Sequence, residues 1–202
     1  MTKLLIRATG LLFLLAFIAP LRAGEISSEY TKLNTETDCT VFSSASEGDG
    51  DWANLTCNGY RGYPILIYYS DLRESLHYGF PPSGDLAPKW ESFGGFNSTS
   101  GTIEWRIETD ESGPRPFATI HRWTVSDVNG DGEIQVLVVE KVAGPGGDGC
   151  VVGYVVATGN GNANQAARDV ADDYARDFSC GFDETVVHEG SVALPPVFVS
   201  EQ

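Results

Sequence analysis

Four apolar runs at even spacing decide the fold: TIEWRIE (102–108), FATIHRWTV (117–125), IQVLVVEKV (134–142) and CVVGYVVA (150–157). In the first run Ile103, Trp105 and Ile107 alternate with charged residues, which is typical of a half-buried strand. Short, turn-like segments join the four runs, and short connections favour antiparallel neighbours. We therefore predict an antiparallel β meander over this region.

The clearest helical pattern follows the last run, at residues 163–178. Its apolar residues recur at helical spacing and comprise Ala163, Ala166, Ala167, Val170, Ala171, Tyr174 and Phe178. Asn162 suits the N-cap, and Gly181 can close the end in a left-handed conformation. The small alanines predict that this C-terminal amphipathic helix packs closely on the sheet. The predicted fold class is therefore α+β, mostly an antiparallel β meander.

Further strands are predicted upstream of the meander. Residues 36–43 and 52–57 flank a glycine- and aspartate-rich turn at residues 47–50, a pattern that indicates a β-hairpin. Residues 63–69 and 74–78 are also rich in β-branched and aromatic side chains or alternate as strands do. The N-terminal half therefore contributes strands but no helix.

The cysteines predict two disulfides. The hairpin turn is midway between Cys39 and Cys57, so we expect these two residues to face each other across the hairpin. A helix that runs back over the strand at residues 150–157 would bring Cys180 beside Cys150. The chain contains no C-x-x-C pair, which disfavours a thiolate metal site.

Residues 80–100 form a long connection with little regular patterning. Loops of about 20 residues are uncommon in compact domains and are often functional. This one contains Trp90, Phe93 and Phe96, and aromatic side chains are frequent anchors at protein interfaces. These three residues are our candidates for a partner-binding group.

The N-terminal residues have the pattern of a signal peptide. Lys3 and Arg7 precede an apolar run at residues 10–19, and Ala23 offers a small residue at the cleavage point. We predict a signal peptide over residues 1–23, a single α+β domain over 24–181 and a poorly ordered tail over 182–202. An exported chain with paired cysteines belongs in the periplasm or outside the cell.

The protein is strongly acidic. Its 13 basic and 28 acidic residues give a net charge of −15, which becomes −18 when Lys3, Arg7 and Arg22 leave with the signal peptide. Nucleic acid is not an expected partner, because its binding requires clustered basic residues. The remaining chain has no apolar stretch long enough to span a membrane. A basic protein, such as a lysozyme, is the partner that this charge suits.

The segment from Ser126 to Ile134 opens like a calcium-binding loop. Asp127, Asn129 and Asp131 would supply side-chain oxygens and Glu133 a backbone carbonyl. The twelfth position is Val138, where a helical calcium loop needs a bidentate glutamate. Asn-Gly and Asp-Gly are also favoured hairpin dipeptides, so we interpret the segment as a polar turn without a cofactor. Calcium is the alternative.

No catalytic motif stands out. His77, His121 and His188 are far apart in sequence, and none belongs to an H-E-x-x-H pattern. A G-x-S-x-G nucleophile elbow is also missing. A hydrolase with a dispersed active site remains an alternative, because catalytic triads are assembled by folding and not by sequence proximity.

Several short blocks together resemble a group of small exported bacterial proteins of unknown function. The blocks are Asp38-Cys39, Cys57-x-Gly59-Tyr60, Asp71-Leu72-Arg73, Gly101 to Arg106, Arg115 to Ile120, Arg122-Trp123 and Phe178-x-Cys180-Gly181. The resemblance covers about residues 28–181. It implies a disulfide-containing periplasmic domain and supplies no activity.

These observations lead to one functional hypothesis with two alternatives. The hypothesis is an exported, acidic binding or interaction protein without catalytic activity. The alternatives are a hydrolase with a dispersed active site and a calcium-stabilised structural domain.

Overall fold

A computed structural model describes residues 24–82, 89–128, 130 and 132–200, so the predicted signal peptide lies outside the described residues. The strands are β1 (Glu25–Lys32), β2 (Cys39–Ser44), β3 (Trp52–Asn58), β4 (Pro64–Ser70), β5 (Arg73–Tyr78), β6 (Trp90–Phe93), β7 (Asn97–Asp110), β8 (Gly113–Ser126), β9 (Glu133–Lys141), β10 (Val151–Val156), β11 (Val186–His188) and β12 (Val197–Ser200). One α-helix in the described part, α1, spans Ala163–Tyr174, and a 3₁₀ turn spans Tyr60–Gly62. Strand makes up 53% of the described residues, which confirms the mostly β prediction.

The strands form three sheets. A six-stranded sheet has the order β1-β7-β8-β9-β10-β11, a four-stranded sheet has the order β2-β3-β4-β5, and β6 pairs with β12 in a two-stranded ribbon. The predicted antiparallel meander is correct for β7 to β10. It is incomplete beyond them, because β1 joins β7 at one edge and β11 lies parallel to β10 at the other.

A single meander with one helix could not bury the apolar residues that this chain contains. Leu137, Val138 and Val139 are consecutive, yet all three are buried. Successive residues of a strand point to opposite faces, so both faces of the six-stranded sheet must be covered. Leu137 and Val139 belong to the cluster under α1, whereas Val138 belongs to the cluster shared with the four-stranded sheet. The result is three layers, with the six-stranded sheet in the middle.

Helix α1 covers the sheet as predicted but ends at Tyr174, before Phe178. Its buried face contains Ala163, Ala167, Val170 and Ala171. A Cβ atom at Gly153 of β10 would lie 2.8 Å from Val170 Cγ1, so glycine is what permits this close approach.

Both predicted disulfides are present. Cys39 of β2 lies directly opposite Cys57 of β3 in the hairpin register and is bonded to it. Cys150 precedes β10 and is bonded to Cys180, which follows α1. Two disulfides indicate an oxidising compartment.

The segment after Gly181 contains two strands, where the sequence predicts a poorly ordered tail over residues 182–202. Strand β11 pairs with β10, and β12 pairs with β6. The Gly94 amide also donates to the Pro196 carbonyl at 2.8 Å, and Val197 packs against the larger core cluster. Residues 186–188 and 197–200 form strands because the edges of β10 and β6 offer backbone groups that pair with them.

Candidate functional site

The three aromatic residues expected to act together lie in different surroundings. Phe93 is 2% exposed, and its ring packs in the core on Trp123 with 5.6 Å between ring centroids. Phe96 is exposed, and the guanidinium of Arg73 lies 4.9 Å from its ring centroid. Trp90 is half-buried. The predicted group is therefore not one continuous surface.

Trp90 lines an open cleft of about 670 Å³ between the four-stranded sheet and the β6–β12 ribbon. The aromatic residues in its lining are Trp52, Tyr69, Trp90, Phe93 and Phe198. Cavities of several hundred cubic ångströms with apolar walls and a few polar groups are typical of ligand-binding sites. We therefore take this cleft, called the aromatic cleft below, as the candidate functional site.

The ribbon register explains which of its side chains reach the aromatic cleft. Trp90 lies opposite Ser200, and Ser92 lies opposite Phe198. Cross-strand partners share a face, and alternate residues of one strand do too, so Trp90 and Phe198 are on the same side of the ribbon. Phe93 alternates to the other side and packs in the core, and it also contributes to the lining of the cleft.

Asn97 holds the ribbon in place. It is buried, and its Nδ2 donates to Ser92 Oγ at 3.1 Å and to the Gly95 carbonyl at 2.9 Å. Its Oδ1 accepts from the Glu74 amide of β5 at 3.0 Å. One side chain thus ties the turn after β6 to the four-stranded sheet and fixes the separation of the two walls of the aromatic cleft.

Arg73 strengthens the same wall and carries a compensated charge. Its Nε and Nη2 donate to the Gly94 carbonyl at 3.2 and 3.1 Å. Its Nη1 is 2.7 Å from Asp71 Oδ2. Because the Asp71 side chain is 81% exposed, this ion pair adds little stability, but it neutralises the only cation among the described lining residues.

A second carboxylate lies beside the aromatic cleft. The Tyr69 hydroxyl donates to Asp51 Oδ2 at 3.0 Å, and the Asp71 amide donates to the Asp51 carbonyl at 3.1 Å. Partial burial and the adjacent Asp51 carboxylate raise the pKa of Tyr69. Tyr69 therefore stays a neutral hydrogen-bond donor, and the local charge at this end of the cleft is negative.

The segment interpreted as a polar turn, with calcium as the alternative, is the turn between β8 and β9. Ser126 pairs with Glu133 at the end of the hairpin, and the Asp127 amide donates to the Gly132 carbonyl at 2.9 Å. Asn129 and Asp131 lie outside the described residues. Among the residues that are described, no three His, Cys, Asp or Glu side chains are grouped to hold a metal.

The three histidines belong to different strands: His77 to β5, His121 to β8 and His188 to β11. His121 is almost fully buried, with Nε2 2.5 Å from the Ser100 carbonyl and Nδ1 2.6 Å from the Tyr78 hydroxyl. A carbonyl accepts only, so Nε2 carries the hydrogen and Nδ1 accepts from Tyr78. Burial lowers the pKa of His121 to about 4. Both ring nitrogens are occupied, so His121 has neither access nor a free atom for general-base chemistry.

Sequence reasoning missed three of the five aromatic residues that line the aromatic cleft. Trp52 begins β3 and Tyr69 is in β4, so both read as ordinary strand residues. Phe198 lies in the tail that the sequence predicts to be poorly ordered. An apolar VFV run at the end of an acidic chain was the available signal for Phe198.

No family model, curated protein or solved structure matches this chain. Within the described ranges, no helix is both long and apolar enough to cross a membrane.

Proposed function

We propose that the protein is an exported, acidic binding protein without catalytic activity, and that it holds a basic protein partner at the aromatic cleft. The observation that carries the proposal is the cleft itself, in which half-exposed rings border an open volume of about 670 Å³. Aromatic side chains in partly desolvated clefts dominate binding energy at many interfaces. The two walls are fixed by Asn97 and Arg73, so little ordering is required when a partner binds.

Net charge supports a basic partner. The chain carries −15, and −18 after loss of the predicted signal peptide. A field of one sign accelerates the encounter with an oppositely charged protein and is weakened by salt. Binding should therefore be faster and tighter at low ionic strength.

Export to the periplasm is part of the proposal. The two disulfides are consistent with an oxidising compartment, and residues 1–23 match the signal-peptide pattern. The basic partner would then be a protein that the periplasm contains or that enters it.

The test uses the chain from Gly24 onward, oxidised, with a purified lysozyme as the basic probe. Affinity is measured by calorimetry at low and at high salt. We expect binding that weakens at high salt and weakens about tenfold or more in Trp90→Ala, as for an interface hot spot. Phe182→Ala is the matched control, because Phe182 is 91% exposed and does not line the cleft.

The proposal would be contradicted if the affinity were the same at low and high salt. It would also be contradicted if Trp90→Ala and Phe182→Ala reduced the affinity equally. If the near-ultraviolet circular dichroism of Trp90→Ala shows that its tertiary structure is lost, the affinity of Phe198→Ala is measured instead. That change removes a half-exposed ring from the same cleft.

A further inference from the structure

We infer that the aromatic cleft receives an arginine side chain of the partner, which stacks between aromatic rings while the Asp51 carboxylate compensates its charge. The inference deepens the proposed function and rests on it, since it names the chemical group that a basic protein would insert. Arginine is preferred to lysine because the planar guanidinium stacks on rings and is the more weakly hydrated cation.

The aromatic rings of the cleft are free to stack on a bound side chain. Within the described residues, Trp52, Trp90 and Phe198 make no ring–ring contact with one another. The Phe198 side chain belongs to a residue that is 57% exposed, and Trp52 and Trp90 are half-buried. Rings that do not fill the space between them leave π faces open, and a cation over such a face is attracted by the ring quadrupole.

The resident cation does not compete with this role. Arg73 donates to Asp71 and to the Gly94 carbonyl, and its guanidinium already lies over Phe96. Its charge is therefore neutralised and its planar group is occupied. A second guanidinium entering the cleft would meet an ion pair and not an uncompensated positive charge.

Asp51 supplies the compensating charge. It accepts a hydrogen bond from Tyr69, but no lysine or arginine of the described residues forms an ion pair with it. It immediately precedes Trp52 in the chain, and its carbonyl accepts from the amide of Asp71, which lines the cleft. A carboxylate that has no lysine or arginine partner among the described residues, and that lies beside open aromatic faces, is complementary to an organic cation.

The experiment titrates the mature, oxidised chain with three peptides and follows tryptophan fluorescence. The peptides are acetyl-Gly-Arg-Gly-Arg-Gly-amide, the same sequence with citrulline for arginine, and the same sequence with lysine. Citrulline keeps the planar shape and removes the charge. We expect the citrulline peptide to bind about tenfold more weakly than the arginine peptide, with lysine between them.

Two variants locate the effect. Trp52→Leu should reduce affinity for the arginine peptide about threefold to tenfold, since it removes one stacking surface. Asp51→Asn should reduce it by a similar factor and should flatten the salt dependence. Asp49→Asn is the matched control, because it makes the same charge change two residues away. Asp51 is hydrogen-bonded to Tyr69 and Asp71 of the cleft lining, whereas the Asp49 amide bonds to Ser46, which does not line the cleft.

Equal affinity for the arginine and citrulline peptides would overturn the inference, as would equal effects of Asp51→Asn and Asp49→Asn. So would binding of a neutral oligosaccharide such as chitotetraose in place of the arginine peptide, if Trp52→Leu abolished it. If a lysozyme binds through Trp90 while the arginine peptide does not bind, only this inference fails. If no basic protein binds, the proposed function fails first.

Discussion

Replacing Asn97 with alanine tests how the aromatic cleft is built. The side chain is buried, donates to Ser92 Oγ and the Gly95 carbonyl, and accepts from the Glu74 amide. Each such bond contributes about 1 kcal/mol net, and leaving a buried amide or carbonyl unpaired adds a penalty of similar size. With three well-formed bonds lost, we expect the free energy of unfolding to fall by about 3 kcal/mol.

Urea unfolding of the mature, oxidised chain measures this loss. For a protein of this size, about 3 kcal/mol corresponds to a decrease of about 6–12 °C in melting temperature. Asn164→Ala is the control, because Asn164 is exposed and accepts one hydrogen bond from Arg122 at 2.9 Å. Its effect should stay within about 0.5 kcal/mol.

The same variant should also weaken binding at the aromatic cleft, since Asn97 connects β6 to β5 and so sets the position of Trp90. A loss below about 1 kcal/mol, or one equal to that of Asn164→Ala, would show that the ribbon is held by other contacts. If the variant loses about 3 kcal/mol of stability but keeps its affinity for a basic probe protein, then the hydrogen bonds of Asn97 stabilise the fold without setting the geometry of the aromatic cleft.

The remaining predictions concern the disulfides, the pH dependence of stability and the turn after β8. Replacing both Cys150 and Cys180 with serine should lower stability by about 3–4 kcal/mol in the chain-entropy model, and a change below about 1 kcal/mol by urea unfolding would contradict this. Because the pKa of His121 falls from 6.5 to about 4 on folding, the unfolded state binds more protons in that range. Stability should therefore drop by about 3 kcal/mol as pH falls through it, and His121→Gln should flatten the profile. Burial raises the pKa of Glu140 well above 4.5, so this carboxyl opposes stability as pH rises, and Glu140→Gln should raise the melting temperature at neutral pH but not at pH below about 4. Millimolar calcium should leave the melting temperature within about 1 °C, and a rise of several degrees that Asp127→Ala abolishes would establish a calcium site instead.

Local sequence patterns were sufficient for most elements of this fold. Alternation in TIEWRIE and the apolar runs after it predicted β7 to β10, and alanine spacing predicted α1. Both patterns have periods of two or about four residues, so a short window contains all the information they need. The disulfides followed because Cys39 and Cys57 flank one hairpin, and Cys150 and Cys180 flank one strand–helix unit.

The aromatic cleft could be recognised only in the tertiary structure. Trp52, Trp90 and Phe198 come from β3, β6 and β12, which belong to two sheets and are far apart in sequence. Strands β6 and β12 have four residues each, too few for alternation to stand out. The two strands pair with each other, Trp90 opposite Ser200 and Phe93 opposite Val197, and no local pattern encodes a partner so far away in the chain. The sequence therefore determines which aromatic side chains are present, whereas long-range strand pairing determines that they lie around one cleft.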